Sequence, residues 1–129
     1  MTNLDQNTQP ADAKIPGLTE PTLYMRATRD QIAPVVIFSG DPWRVEVLKD
    51  MLDQPQHVAF AREFNTYTGT HQGIRITVTS TGIGSPTAAI AMEEMYQAGM
   101  KVAIRMGTIM GLRDDMLGKF IIPTGSMRE

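Results

Sequence analysis

The chain has 129 residues, 42% of them hydrophobic and 20% charged, with a formal net charge of -2. That length suits a single core, and the charge leaves no basic footprint of the kind nucleic-acid binding requires. Cysteine is absent, which excludes disulfides, thiolate metal sites and a cysteine nucleophile and fits a cytoplasmic protein.

Residues 1–20 are rich in Thr, Asn, Gln, Asp and Pro and are expected to form a flexible polar tail, since they offer little apolar surface to bury. The same stretch lacks the basic start and apolar run of a signal peptide. No apolar run nears the ~20 residues needed to cross a bilayer, so no membrane role is expected. Residues 21–129 are read as the folded unit.

Val35–Ser39 is a short β-branched run and predicts a buried strand. A helix is expected next, with Asp41 as N-cap, Pro42 at its first position, and Val45, Leu48, Met51 and Leu52 on one face. His57–Thr70 reads as strand, His71-Gln72-Gly73 as a turn, and Ile74–Ser80 as the returning strand, alternating Ile74, Ile76 and Val78 with polar residues. Pro86 opens a second helix. Ala88, Ala89, Ala91, Met92 and Met95 are assigned to its buried side, and Gly99 ends it. Val102–Met106 predicts a third core strand, and Phe120–Ile122 a last short one. Strands alternating with helices indicate an α/β fold, a layered mixed sheet flanked by helices.

Three of the predicted strands stop at glycine turns, each close to an arginine or a hydroxyl: Gly40-Asp41-Pro42-Trp43-Arg44, Thr81-Gly82-Ile83-Gly84-Ser85, and Arg105-Met106-Gly107-Thr108. In one sheet these turns would bring backbone N–H groups, Arg44, Arg105 and Thr108 to one edge, where an anion could bind. Each motif also has an ordinary reading. The first could be a plain turn with a surface arginine, and the second a tight strand–helix connection. The second lacks the third glycine and the acidic residue of a dinucleotide fingerprint, and the chain has no Walker lysine. Arg105 interrupts an apolar strand and needs a counter-charge if buried, either a carboxylate such as Glu93 or Glu94 or a bound phosphate. Arg62-Glu63 reads on spacing alone as a solvated pair on a strand. The ten methionines are core and interface filler. The two histidines, His57 and His71, lie apart and form no HExxH pattern, so no zinc site is expected.

Taken together, Gly40-Asp41-Pro42-x-Arg44-Val45-Glu46, Arg62-Glu63-Phe64, Ser80-Thr81-Gly82-Ile83-Gly84-x-Pro86, Ala91-x-Glu93-Glu94 and Arg105-x-Gly107-Thr108 resemble the uridine phosphorylase branch of the nucleoside phosphorylase family, in order and spacing, from Tyr24 to Arg128. The resemblance implies reversible phosphorolysis of a nucleoside to free base and pentose 1-phosphate. Inorganic phosphate is then a co-substrate and no cofactor is needed. It implies that Gly40, Arg44, Arg105 and Thr108 bind phosphate, with Arg105 and Thr108 nearest the chemistry. Arg62 matches an arginine that reaches a neighbouring subunit's phosphate site, in a homodimer or a hexamer of dimers. Glu63, Ile83 and Thr87 match positions that hold a monovalent cation, such as K+, between subunits. Tyr24 stands nearest a family histidine that touches the ribose. Ile109 and Met110 replace a Thr-Gly turn that helps hold the base, which implies a tighter, more apolar pocket. Family members are much longer than this chain, so it is read as the N-terminal half carrying the phosphate site, with little turnover on its own. The alternative is a truncated, non-catalytic phosphate-binding or assembly subunit.

Overall fold

Strands and helices alternate along the computed structural model, which describes residues 20–127. Apart from Glu20, the expected polar tail lies outside these residues, as does Arg128. The elements are β1 (Val35–Ser39), α1 (Pro42–Lys49), β2 (Asp53–Ala61), β3 (Phe64–His71), β4 (Ile74–Ser80), α2 (Ser85–Gln97), β5 (Val102–Met106) and a single 3-10 turn at Asp114–Met116. The strands form one mixed sheet in the order β2-β3-β4-β1-β5. Its β4, β1 and β5 are parallel, while β2-β3 and β3-β4 are antiparallel hairpins. The α/β expectation holds.

Register decides what the sheet can present at its edge. Val35 pairs with both Ile76 and Val102, and the pairing runs unbroken to Ser39, which pairs with Ser80 and Met106. The three parallel strands therefore end level, and their glycine turns emerge side by side.

Alternation along the strands sends Val36 and Phe38 to one face and Ile37 to the other. On the first face, Val36, Phe38 and Phe64 pack with Ala91, Met95 and Ala98 of α2 and its exit, and with Met25, Ala27, Ile32 and Met100. Phe38 and Phe64 are buried, each contributing about 1.5–3 kcal/mol. The polar positions of β4 share this face and are buried too. Thr66 pairs with Thr79, and Thr68 with Thr77, each pair 2.7 Å apart hydroxyl to hydroxyl. Pairing removes the cost of burying them. The residue 20–33 strap is tied to α2 by Glu94, whose carboxylate accepts the N–H of Tyr24 at 2.9 Å and of Met25 at 2.8 Å.

The helix ends follow their sequence signals. Asp41 accepts the Trp43 N–H at 2.9 Å, with Pro42 at the first position. Gly99 turns the chain out of α2 with φ +106°, the left-handed conformation that favours glycine there.

Several expectations are corrected. His57–Thr70 is two strands, split by a two-residue loop at Arg62-Glu63, so that pair sits on a hairpin and not along a strand. No glycine or proline marks this loop; Arg62 itself adopts φ +55°. Helix α1 ends at Lys49, leaving Met51 and Leu52 beyond it, and only Val45 of its apolar residues is fully buried. Ala89 faces solvent on α2, whereas Glu94 is buried. Strand β5 forms, but as an exposed edge rather than a core strand. Phe120–Ile122 forms no strand, since no described strand runs beside it to complete a ladder, and Phe120 and Ile122 are exposed.

Candidate anion site at the carboxyl edge of the sheet

Arg105 lies where the level strand ends meet. Its Nη2 is 3.6 Å from the point a Cβ on Gly40 would occupy, as is the Gly82 carbonyl oxygen, and its Nη1 is 3.1 Å from the corresponding point on Gly107. The guanidinium therefore spans the turns after β1 and β5, and both turns are glycine where it passes. Thr81 continues the sheet past β4 by donating its N–H to the Ser39 carbonyl at 2.8 Å, which draws the third turn into the group.

The two readings of Arg105 now separate. Its strand is exposed, so the argument from a buried charge does not apply. Glu94, one candidate partner, is committed to the Tyr24 and Met25 amides, and Glu93 faces solvent. Among the described residues Arg105 forms no ion pair. Its planar fork of donors is open to an oxyanion from solution.

Arg44 stands exposed in the first turn of α1, and Thr108 is exposed just past Gly107. The Asp41 side chain already takes the Trp43 N–H, so the helix end adds less to anion binding than a bare N-terminus would. One further group lies at this edge: the Ser39 hydroxyl is buried without a hydrogen-bond partner among the described residues.

Of the residues compared with a cation site, Glu63 lies against the turn at Gly82, and Thr87 bonds back to the residue after it. Glu63 packs onto Gly82, whose Cβ would lie 2.6 Å from the Glu63 Cγ. Next to it, the Thr87 hydroxyl donates to the Ile83 carbonyl at 3.1 Å. Carboxylate, carbonyl and hydroxyl oxygens are the donor set that hard cations prefer. On the other side Arg62 of the hairpin meets Tyr24 of the 20–33 strap, the guanidinium 5.5 Å from the ring centroid in cation–π contact. With Leu23, Arg26 and Ala61 they line an open hollow of about 490 Å³. Ile109 and Met110 are exposed beyond β5, at 68% and 90%.

A cluster that motif reading did not single out joins α1 to β3. The Glu46 Oε1 accepts from Asn65 Nδ2 at 2.7 Å and from the Tyr67 hydroxyl at 3.1 Å, while Oε2 pairs with Lys49. These partners, Lys49 first and then Asn65, hold the Glu46 carboxyl down from the ordinary 4.5 to about 2. Behind them, His57 Nε2 lies 3.2 Å from Asn65 Oδ1, and its ring rests 4.6 Å from that of Tyr67. In the sequence, only the position of Glu46 next to Arg44 and Val45 pointed here.

Comparison with known proteins gives one consistent result. The model of the phosphorylase superfamily matches residues 34–129. A uridine phosphorylase of Thermococcus kodakarensis is 39% identical over 98 residues, 75% of this chain and 35% of that one. A guanosine phosphorylase of Halorubrum lacusprofundi is 38% identical over 107 residues, 82% of this chain and 44% of that one. The crystal structure of a purine nucleoside phosphorylase from Toxoplasma gondii superposes with a TM-score of 0.65 at 38% identity, covering 67% of this chain and 35% of that one. The chain thus spans less than half the length of these relatives.

Proposed function

The chain belongs to the phosphorylase superfamily, and from that premise we propose that it supplies the phosphate-binding part of a nucleoside phosphorylase, uridine-type, acting in nucleoside salvage in the cytoplasm. The observation that carries this reading is the Arg105 guanidinium, lying against Gly40 and Gly107 with no carboxylate partner among the described residues. In phosphorolysis a phosphate oxygen forms a bond to the anomeric carbon. The bond to the base breaks, and its electron pair leaves with the base, which then takes up a proton. What the protein supplies is placement of the phosphate and stabilisation of separated charge. Arg105, Arg44 and the N–H groups of the glycine turns suit that task, with Thr108 as a further donor. Glu63, Ile83 and Thr87 would hold a monovalent cation such as K+, which would contribute a fixed positive charge between subunits. Arg62 on the hairpin and Tyr24 on the strap beside it would reach a neighbouring subunit of a homodimer or a hexamer of dimers.

The test is base release by the native assembly with and without inorganic phosphate. Uracil release from uridine that requires phosphate supports the reading. Release without phosphate makes the protein a nucleosidase instead, and faster turnover of guanosine than of uridine removes the uridine-type assignment.

A second reading, a non-catalytic phosphate-binding or assembly subunit, is favoured by one observation. Val102, Ile104 and Met106 of β5 are about half exposed, and Leu112, Phe120 and Ile122 almost wholly so. Apolar surface on this scale marks a face that another polypeptide segment covers. Co-purification with a second phosphorylase-like chain that restores turnover would decide for this reading.

A further inference from the structure

Helix α1 carries in its first turn Arg44, which the proposed function assigns to phosphate, yet little apolar packing holds the helix. It has eight residues, and Val45 alone among them is fully buried. Two turns of helix are marginal without tertiary anchorage. What fastens it to the sheet is Glu46, both of whose carboxylate oxygens are engaged, by Asn65 and Tyr67 of β3 and by Lys49 of α1 itself. Asn65 is 1% exposed. Its backbone N–H is accepted by the Ser80 hydroxyl at 2.8 Å, and that hydroxyl donates to the Glu63 carbonyl at 2.6 Å. A continuous polar chain therefore runs from the helix bearing Arg44 to the hairpin bearing Arg62 and Glu63. Its central members, Asn65 and Ser80, are buried with their polar atoms paired, which leaves them little freedom to re-pair.

We propose that Glu46 is a positioning residue: its carboxylate, clasped by Asn65, Tyr67 and Lys49, fixes α1 against β3 and so sets Arg44 at the phosphate site in register with the Arg62–Glu63 hairpin. The proposal rests on the phosphate-binding reading above, and its test separates the two.

Inorganic phosphate is titrated calorimetrically into the full chain and into Glu46→Gln, Tyr67→Phe, Arg44→Ala and Ile32→Val. Trp43, the chain's one tryptophan, adjoins Arg44 and is exposed, so its fluorescence anisotropy reports the mobility of α1 without any ligand. Glu46→Gln is expected to lower that anisotropy and to weaken phosphate by about tenfold, the scale on which loss of an outer partner loosens a bound ion. Tyr67→Phe should do both to a smaller extent. Ile32→Val, on the other face of the sheet, should lower the melting temperature while leaving both readings unchanged. If Glu46→Gln behaves like Ile32→Val, the residue is merely structural and the proposal is overturned. If Arg44→Ala binds phosphate as the wild type does, α1 is not part of the site and the proposal falls while the phosphate reading stands. Failure of the wild-type chain to bind phosphate at all overturns both.

Discussion

Replacing Gly82 by alanine tests whether the turn after β4 is as tightly closed as the structure shows. Gly82 has φ +69°, and an added Cβ would lie 2.6 Å from Glu63 Cγ and 3.1 Å from Glu63 Cβ. Gly73 is the natural control, with φ +80° and nothing within 4 Å of its would-be Cβ. Both substitutions impose left-handed strain of roughly 1–2 kcal/mol. Both recover about 0.4–1 kcal/mol by stiffening the unfolded chain. Gly73→Ala should therefore cost about 1 kcal/mol. Gly82→Ala carries in addition the overlap with Glu63. The clashing atoms lie close to that residue's backbone, so the hairpin itself must shift, at a further cost of about 1–3 kcal/mol. At about 4 °C per kcal/mol for a chain of this size, thermal unfolding followed by circular dichroism should show losses of about 4 °C for Gly73→Ala and 8–16 °C for Gly82→Ala. Adding Glu63→Ala to Gly82→Ala should recover most of the difference. Equal melting temperatures for the two glycine variants would refute the placement of Glu63 over Gly82, and with it the grouping of Glu63, Ile83 and Thr87.

The threonine pairs predict non-additivity: Thr66→Val alone strands the buried Thr79 hydroxyl and should cost about 1–3 kcal/mol, whereas Thr66→Val with Thr79→Val should cost less than the sum of the singles in a denaturant double-mutant cycle. Glu94→Ala removes the acceptor of the Tyr24 and Met25 amides and should cost about 2–3 kcal/mol, with amide exchange in the residue 20–33 strap accelerating first. The Glu46 carboxyl is held from 4.5 down to about 2 by Lys49, Asn65 and Tyr67. Its folded-state pKa is thus depressed, so its stabilisation is present above the unfolded value and is lost as pH falls through that window. Glu46→Gln should flatten the acid limb of the stability curve between these two values, and an unchanged limb would contradict the contacts assigned to Glu46.

The sequence carried the scaffold of the site better than its support. The β-branched run at Val35–Ser39, the Asp41-Pro42 helix start and the Gly99 exit are local signals, and each produced the expected element. The meeting of the three glycine turns was legible because parallel strands of one α/β sheet end on the same side. What escaped was set by tertiary contact. Arg62-Glu63 carries no turn residue, and the hairpin there is visible only in the pairing of Ala61 with Phe64. Glu94, a candidate partner of Arg105 on sequence grounds, is instead taken by the strap's two amides. Thr77 and Thr79 are the polar residues that alternate with Ile76 and Val78, yet both are buried, paired with Thr68 and Thr66 of the neighbouring strand. Periodicity alone also made Val102–Met106 a core strand, because it cannot show whether another layer lies over it.

The most direct test of the central claim is calorimetric titration of inorganic phosphate into the wild-type chain and Arg105→Ala, with melting temperatures measured alongside. Arg105 is exposed and free of ion pairs among the described residues, so its loss should leave the melting temperature within about 2 °C. Saturable phosphate binding by the wild type should fall by at least about tenfold in the variant. Undiminished phosphate binding by Arg105→Ala, or its collapse to an unfolded chain, would contradict the account.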